Sequence, residues 1–262
     1  MGENVDQVWV GWEGPRLRVL PILLTLFIGL AIIAVSFTLA IIILRHVDAQ
    51  LIPRLWPLLT IAEAFECGFA LLGIAVARRF LKGATFGIRW PPGRTRVGLA
   101  VVWGVLIGII MLIVDHSGDL MSGITPGARA HTAVDIAGWL LFELLLVGLC
   151  EETLFRGLLL GVLQALSPSR LRIRKFSLST AGVTIAIMFA LAHVLSFATR
   201  PWPAALGQQL YAVTLGILYA WLRENSGSLL APIIAHSLSD FVEGAAMLVL
   251  FGLLPREPDY AK

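Results

Sequence analysis

Charged residues are scarce in this 262-residue sequence: Asp, Glu, Lys and Arg together make up 14% of it, against about 25% in soluble domains. Hydrophobic residues make up 58%, and the mean hydropathy is +0.85. A soluble fold of this length cannot enclose so many apolar side chains in its core. The composition therefore excludes a water-soluble globular protein and predicts that lipid is the solvent for most of the chain.

Cysteine is scarce as well. The two cysteines, Cys67 and Cys150, both lie within apolar stretches, where a thiol usually acts as a small packing residue. Two isolated cysteines exclude a disulfide framework and a CxxC-type metal site. Internal repeats and low-complexity tracts are also lacking, so we predict one compact bundle without a soluble domain.

Long apolar runs are what the sequence has in abundance. A membrane-spanning helix takes about 20 apolar residues, and seven runs are candidates: residues 17–44, 57–80, 97–114, 133–166, 178–197, 204–222 and 229–254. The fourth run would make about 50 Å of helix, so it is either one long helix or two helices that meet near Gly148. We predict an all-α polytopic membrane bundle of seven to eight transmembrane helices.

Basic residues are concentrated in two loops between these runs. The positive-inside rule places such loops, and with them the N-terminus, in the cytoplasm. The net charge of +3 is explained by this topology, so we predict no nucleic-acid partner. The two clusters are Arg78, Arg79, Lys82, Arg89, Arg94 and Arg96, and Arg170, Arg172, Arg174 and Lys175.

A few ionisable residues lie where lipid surrounds the chain. Each costs about 2.5–3.5 kcal/mol on insertion scales, so such residues are functional or paired by default. Glu152 and Arg156, four residues apart on one helix, are expected to form an ion pair, whereas Glu151 points about 100° away. The informative set is Glu151, Glu152, Arg156, His193, His236 and Asp240.

These residues can reach one another because their depths match. Glu151 and His193 each lie 15 residues from the basic loop that joins their helices, and His236 and Asp240 enter from the same face. Two imidazoles with carboxylates and an open position suit zinc, which would support metal-assisted amide hydrolysis with a glutamate as proton acceptor. The predicted metal ligands are Glu151, His193, His236 and Asp240. The alternative is that these groups only pair off to lower the insertion cost.

Three motifs in order, EExxxR at 151–156, FxxxH at 189–193 and HxxxD at 236–240, resemble the CAAX protease and bacteriocin-processing (CPBP, or abortive-infection) family of intramembrane endopeptidases. The resemblance covers about residues 133–250. It implies endoproteolysis at a membrane, with Glu151 activating water together with His193. It also implies that Glu152 and Arg156 support the site, and that His236 binds a metal or stabilises the oxyanion.

One motif position departs from the family pattern. The family often has Asn where this chain has Asp240, and an ionised aspartate can only accept hydrogen bonds. The departure favours a metal-ligand or histidine-orienting role for Asp240 over an oxyanion role. Zinc and a metal-free, glutamate-activated water both remain open.

The resemblance also divides the chain. We expect three transmembrane helices in residues 1–132, a CPBP-like catalytic core in 133–254 and a short polar tail in 255–262. The expected partners are membrane lipid and a peptide or lipidated protein substrate. The expected location is a bacterial or archaeal cell membrane, with the N-terminus and the site opening on the cytoplasmic side.

Other acidic residues and other functions stay open. Glu143 and Glu243 either face the same cavity or lie at an interface, and Glu63 and Glu66 either gate access or pair with a basic residue. A non-catalytic binding or immunity protein on the same scaffold is one alternative function. A proton- or ion-coupled transporter is another, since buried carboxylates and histidines are natural there too.

Overall fold

The computed structural model describes residues 10–13, 18–48, 55–89, 97–122, 132–173, 176–194, 196–199 and 202–252. Within these ranges the fold is all-α except for three short strands. The helices are α1 (Val19–Val47), α2 (Trp56–Phe80), α3 (Val97–Ser122), α4 (Ala133–Leu166), α5 (Thr180–Ala192), α6 (Ser196–Thr199), α7 (Trp202–Ser226) and α8 (Leu230–Phe251); the strands are β1 (Val10–Glu13), β2 (Arg170–Ile173) and β3 (Phe176–Ser179).

Five helices of the described chain are long and apolar enough to cross a membrane: α1, α2, α3 over Val97–Val114, α4, and α8 over Leu230–Leu250. The predicted count of seven to eight is therefore not confirmed. Helix α5 has only 13 residues. Helix α7 has 25 residues, but Gln208 and Gln209 interrupt its apolar run.

The structure of α4 shows whether the fourth apolar run forms one helix or two. It runs from Ala133 to Leu166 without a break, so the fourth apolar run is one helix and not two. It begins at Thr132, whose hydroxyl accepts a hydrogen bond from the Asp135 amide at 3.1 Å, as an N-cap residue does. Two stretches are π-helical, Phe142–Val147 and Thr153–Leu159, and the turn between them carries Glu151 and Glu152.

Close helix contacts hold α8 against α3 and α4. A Cβ atom added to Gly108 of α3 would lie 2.6 Å from the carbonyl oxygen of Ser239. A Cβ added to Gly148 of α4 would lie 2.7 Å from the amide nitrogen of Ser237 and 2.8 Å from the carbonyl oxygen of Ile233. Glycine is needed at both positions because any side chain would push α8 away from its neighbours.

The main core lies where α2, α4, α5 and α7 meet. Its buried residues include Ile74 of α2, Leu154 and Leu163 of α4, Ile185 of α5 and Ala220 of α7. In this core the side of α4 that carries the second π-helical stretch is enclosed by protein on several sides. Polar side chains in that stretch are consequently shielded from lipid.

The basic loop after α4 forms strands β2 and β3, which make a small antiparallel sheet with β1 from the start of the described chain. The sequence pattern did not predict this sheet. The strand order is β1-β2-β3, with Val10 opposite Ile173 and Arg170 opposite Ser179. Glu224 at the end of α7 fastens this sheet to the bundle by accepting hydrogen bonds from Arg170 at 2.9 Å and from the Ser179 hydroxyl at 2.5 Å.

Some predicted features lie outside the described residues. They are the polar tail at 255–262 and the basic residues Arg94, Arg96, Arg174 and Lys175.

Candidate active site

Glu152 is the centre of the polar cluster inside the bundle. Its side chain is fully buried, and its Oε1 atom accepts hydrogen bonds from Arg156 at 2.8 Å and from His236 Nδ1 at 2.9 Å. The ion pair that the i, i+4 spacing predicts is thus present. Glu152 joins α4 to α8 through a charged, enclosed contact.

The hydrogen bond to Glu152 also sets the tautomer of His236. A carboxylate only accepts, so Nδ1 of His236 carries the proton that it donates, and Nε2 is the ring nitrogen that faces the rest of the cluster. Nε2 lies 3.7 Å from Glu151 Oε2 and 3.6 Å from Asp240 Oδ2. One imidazole nitrogen therefore faces two carboxylates.

Glu151 differs from Glu152 in exposure, and the two side chains point in different directions from adjacent positions of α4. Its side chain is 14% exposed and that of Asp240 is 13% exposed, whereas Glu152 is completely enclosed. The two partly exposed carboxylates lie on the Nε2 side of His236. The structure therefore offers one buried carboxylate that orients the ring and two that are open to a small molecule.

Aromatic rings surround the guanidinium of Arg156. Its central carbon lies 4.4 Å from the ring centre of Phe189, 5.3 Å from that of Tyr219 and 5.8 Å from that of Phe155. All three distances are within the range of cation–π attraction. This cage compensates in part for burying a charge that has only one carboxylate partner.

His193 joins this group through Phe189. It caps the C-terminal end of α5, where its Nδ1 donates to the carbonyl oxygen of Phe189 at 2.9 Å. The side-chain amide of Gln209 on α7 donates to the backbone carbonyl oxygen of His193 at 3.0 Å. The Phe189 ring lies edge-on to both imidazoles, at 5.0 Å from His193 and 5.8 Å from His236. Both histidines are thus held through Nδ1 and share one aromatic neighbour.

Several buried polar atoms in the cluster have no hydrogen-bond partner among the described residues. They are Glu151 Oε2, Glu152 Oε2, and Nε and Nη2 of Arg156. Unsatisfied buried groups cost about 1–3 kcal/mol each and are rare in native structures. Their concentration at one place marks this cluster as a site for a polar ligand or water.

The predicted metal ligands do not form a metal centre in the structure. Among the described residues, which include all four predicted ligands, no three His, Cys, Asp or Glu side chains are grouped as they would be around a metal ion. Glu151 Oε2 and Asp240 Oδ2 each lie near one nitrogen of His236, at 3.7 and 3.6 Å, without forming such a group. The zinc ligand set stays a prediction.

The additional acidic residues occupy different places. Glu63 and Glu66 are buried on α2, at 8% and 5% exposure, and Glu66 lies close enough to Glu151 for the two carboxyl groups to interact electrostatically. Glu143 is buried in the first π-helical stretch of α4, and Glu243 is half-buried on α8.

Sequence reasoning missed Tyr219 and Ser239. Tyr219 of α7 is fully buried and stacks on His236, and its hydroxyl lies 3.1 Å from Ser239 Oγ. The available signal was weak: Tyr219 is one of three tyrosines, within an apolar run that has no catalytic motif.

Comparison with known proteins agrees with this geometry. Residues 132–242 match the family model of the type II CAAX prenyl endopeptidase Rce1-like family. No curated protein and no solved structure matches the chain. The matched stretch contains all six residues predicted for the site, from Glu151 to Asp240. The resemblance drawn from the three motifs is therefore confirmed: residues 132–242 of this membrane protein are similar to the Rce1-like family of type II CAAX prenyl endopeptidases.

Proposed function

We propose that the protein is an intramembrane endopeptidase in which Glu151 takes a proton from the water that attacks a peptide bond. The observation that carries the proposal is the position of Glu151 Oε2, 3.7 Å from His236 Nε2, beside a buried ion pair that holds the ring. A general base must lie within hydrogen-bond reach of the proton that it removes, directly or through one water. The arrangement of Glu151 and His236 meets this requirement for a water molecule.

The separation suits a shared water. Two atoms 3.7 Å apart do not make a direct hydrogen bond, but one water oxygen can lie within about 2.8 Å of both. In the proposed step, Glu151 receives the water proton as the water oxygen bonds to the substrate carbonyl carbon. The bond between that carbon and the amide nitrogen then breaks, and Glu151 returns the proton to the departing amine.

The contacts favour His236 as the imidazole that holds this water, a role that the family resemblance assigns to His193. His236 is fixed by Glu152, and Asp240 lies 3.6 Å from the same Nε2 atom, which supports a histidine-orienting role for Asp240. His193 is then the proposed donor to the substrate carbonyl oxygen, through Nε2 of its doubly protonated ring, since Nδ1 already donates to Phe189. Donors aimed at a developing oxyanion typically contribute a factor of about 10²–10³ to the rate.

The proposed substrate is a membrane-associated peptide or a lipidated protein. In support of this, a small apolar groove opens between α1, α4 and α5, lined by residues that include Leu26, Ile33, Phe155 and Met188. Phe155 also packs edge-on against Phe189 at 5.1 Å, the ring that touches both histidines. An apolar chain in this groove would hold its attached peptide near the cluster.

The test is cleavage by purified protein in liposomes. The substrates are a C-terminal CAAX peptide with a prenyl group and the same peptide without it, and mass spectrometry identifies the broken bond. We expect the prenylated peptide to be cut, and Glu151→Gln to lower the rate by about 10²–10⁴-fold. The matched control is Glu143→Gln, which changes another buried glutamate of α4 and should leave the rate within about twofold of the wild type.

The outcomes separate the alternatives. A Glu151→Gln variant that cuts at the wild-type rate would exclude the proposed step. Binding of the peptide without cleavage by the wild-type protein would favour the non-catalytic scaffold.

A further inference from the structure

Tyr219 touches the polar cluster at three places although no motif contains it. Its ring stacks on the His236 ring, with centres 5.0 Å apart and planes inclined by 22°. The same ring lies 5.3 Å from the guanidinium of Arg156. Its hydroxyl lies 3.1 Å from Ser239 Oγ. A buried side chain of α7 thus contacts both α4 and α8 at the site.

The stack restricts a motion of His236 that Glu152 cannot restrict alone. A single hydrogen bond at Nδ1 fixes one atom of the ring but leaves the ring free to tilt about that atom. Tyr219 covers one face of the ring, and the edge-on Phe189 lies 5.8 Å away at 83°. With a ring face and an edge both in contact, the direction in which Nε2 points is determined.

The hydroxyl of Tyr219 adds a second restraint through Ser239. Ser239 donates its only hydroxyl proton to the carbonyl oxygen of His236 at 2.7 Å, so the Tyr219 hydroxyl is the donor to Ser239 Oγ. The chain of hydrogen bonds therefore ends on the backbone of His236 itself. Ring and backbone of the same histidine are both held by one tyrosine.

We infer that Tyr219 is a positioning residue, which aims His236 Nε2 at the space in front of Glu151 by stacking on the ring and by bonding to Ser239. This inference rests on the proposed function, because the aim of Nε2 matters for catalysis only if His236 holds the attacking water. Misplacing a catalytic group by about 1 Å can cost about 10²-fold in rate. Tyr219 acts through His236 and touches no reacting atom.

The kinetic test compares two substitutions of Tyr219. Tyr219→Met removes the flat ring but keeps bulk in the core, and we expect kcat to fall about 10–100-fold with KM nearly unchanged and with an altered pH dependence of kcat. Tyr219→Phe keeps the stack and loses only the bond to Ser239, so we expect about a 2–5-fold loss. Leu222→Met is the matched control, since Leu222 is also a buried residue of α7, and it should match the wild type.

A second readout does not depend on proteolysis. In the ¹H NMR spectrum of histidine-labelled protein, assigned with His236→Gln, the stacked ring of Tyr219 should shift the Hε1 resonance of His236 upfield. Tyr219→Met should abolish this shift, whereas Tyr219→Phe and Leu222→Met should retain it. If Glu151→Gln remains active, the proposed reaction fails, and the NMR result alone then decides whether Tyr219 orients His236.

The inference is overturned if Tyr219→Met shows the wild-type resonance, kcat and pH profile. If Tyr219→Met does not fold, the cycle of Tyr219→Phe, Ser239→Ala and the double variant decides. The double variant should be no slower than the slower single variant, because both changes break one hydrogen-bond chain. Single variants that both equal the wild type would contradict the inference.

Discussion

Two Glu–Arg ion pairs in this molecule have the same chemistry and very different surroundings. At the sheet, both oxygens of Glu224 are used: Oε1 accepts from Gln164 and Ser179, and Oε2 accepts from Arg170. In the middle of α4, Oε1 of Glu152 accepts from Arg156 and from His236. Oε2 of Glu152 has no partner within the described chain.

The difference separates a contact that fastens the fold from one that serves a site. The side chain of Arg170 is 43% exposed and can remain hydrated, but that of Arg156 is completely buried. Nε and Nη2 of Arg156 also lack partners within the described residues. Burying the Glu152–Arg156 pair with some of its polar atoms unpaired reduces the stability of the fold. The same pair fixes the orientation of His236 through the hydrogen bond to Nδ1.

The largest expected effect comes from removing Arg156. Arg156→Met leaves Glu152 as a buried, uncompensated charge, so the free energy of unfolding should fall by about 3–5 kcal/mol. The control Arg170→Met breaks a half-exposed pair and should cost about 1 kcal/mol or less. Reversible unfolding in mixed micelles measures both, and equal losses would remove the distinction between the two pairs.

Glu224→Gln should reduce stability without reducing activity. The change removes the charge from the acceptor of Arg170 and Ser179, and hydrogen bonds to charged groups contribute about 1.5–3 kcal/mol. The same micelle titration measures this loss, and the peptide assay should give a kcat within about twofold of the wild type. A large fall in kcat with unchanged folding would mean that the sheet region takes part in catalysis.

Gly148→Ala tests the close contact that brings His236 up to α4. The added methyl group would meet backbone atoms of α8, and overpacking costs about 1–3 kcal/mol. The matched control is Gly68→Ala on α2, where an added Cβ meets nothing within 4 Å. That change should alter stability by about 1 kcal/mol or less. Equal stability of the two variants, measured by thermal unfolding, would contradict the packing argument.

Chelation should have the smallest effect. Because no three potential ligands among the described residues are grouped as they would be around a metal ion, we expect 1,10-phenanthroline or EDTA to change the cleavage rate by less than about twofold. The rate is measured before and after dialysis against chelator. Loss of activity that added zinc restores would contradict this expectation and support the predicted metal site of Glu151, His193, His236 and Asp240.

Much of the site could be predicted because helical spacing is a strong geometric constraint. The spacing of Glu152 and Arg156 predicted their ion pair, and that of His236 and Asp240 predicted their shared face. The angular offset of Glu151 predicted that its side chain points away from that of Glu152. Such arguments succeed wherever the relevant residues lie on one helix.

The rest required information about contacts between helices. No periodicity in residues 133–166 indicates the two π-helical stretches, and the stack of Tyr219 on His236 depends on how α7 crosses α8. The sheet also escaped prediction, because a basic loop of about ten residues between two apolar runs is explained by membrane topology alone. The count of membrane spans is not confirmed, because among the described helices α5 is short and glutamines interrupt the apolar run of α7.

The proposed mechanism depends most on Glu152 acting through His236. A double-variant cycle of Glu152→Gln and His236→Gln measures the coupling between these two residues directly. Single-turnover cleavage of the prenylated peptide gives the four rates. We predict that each change lowers the rate by about 10-fold or more and that the double variant is no slower than His236→Gln alone, because coupled residues are not additive. Losses that multiply in the double variant would show that the two residues act independently and would contradict the account.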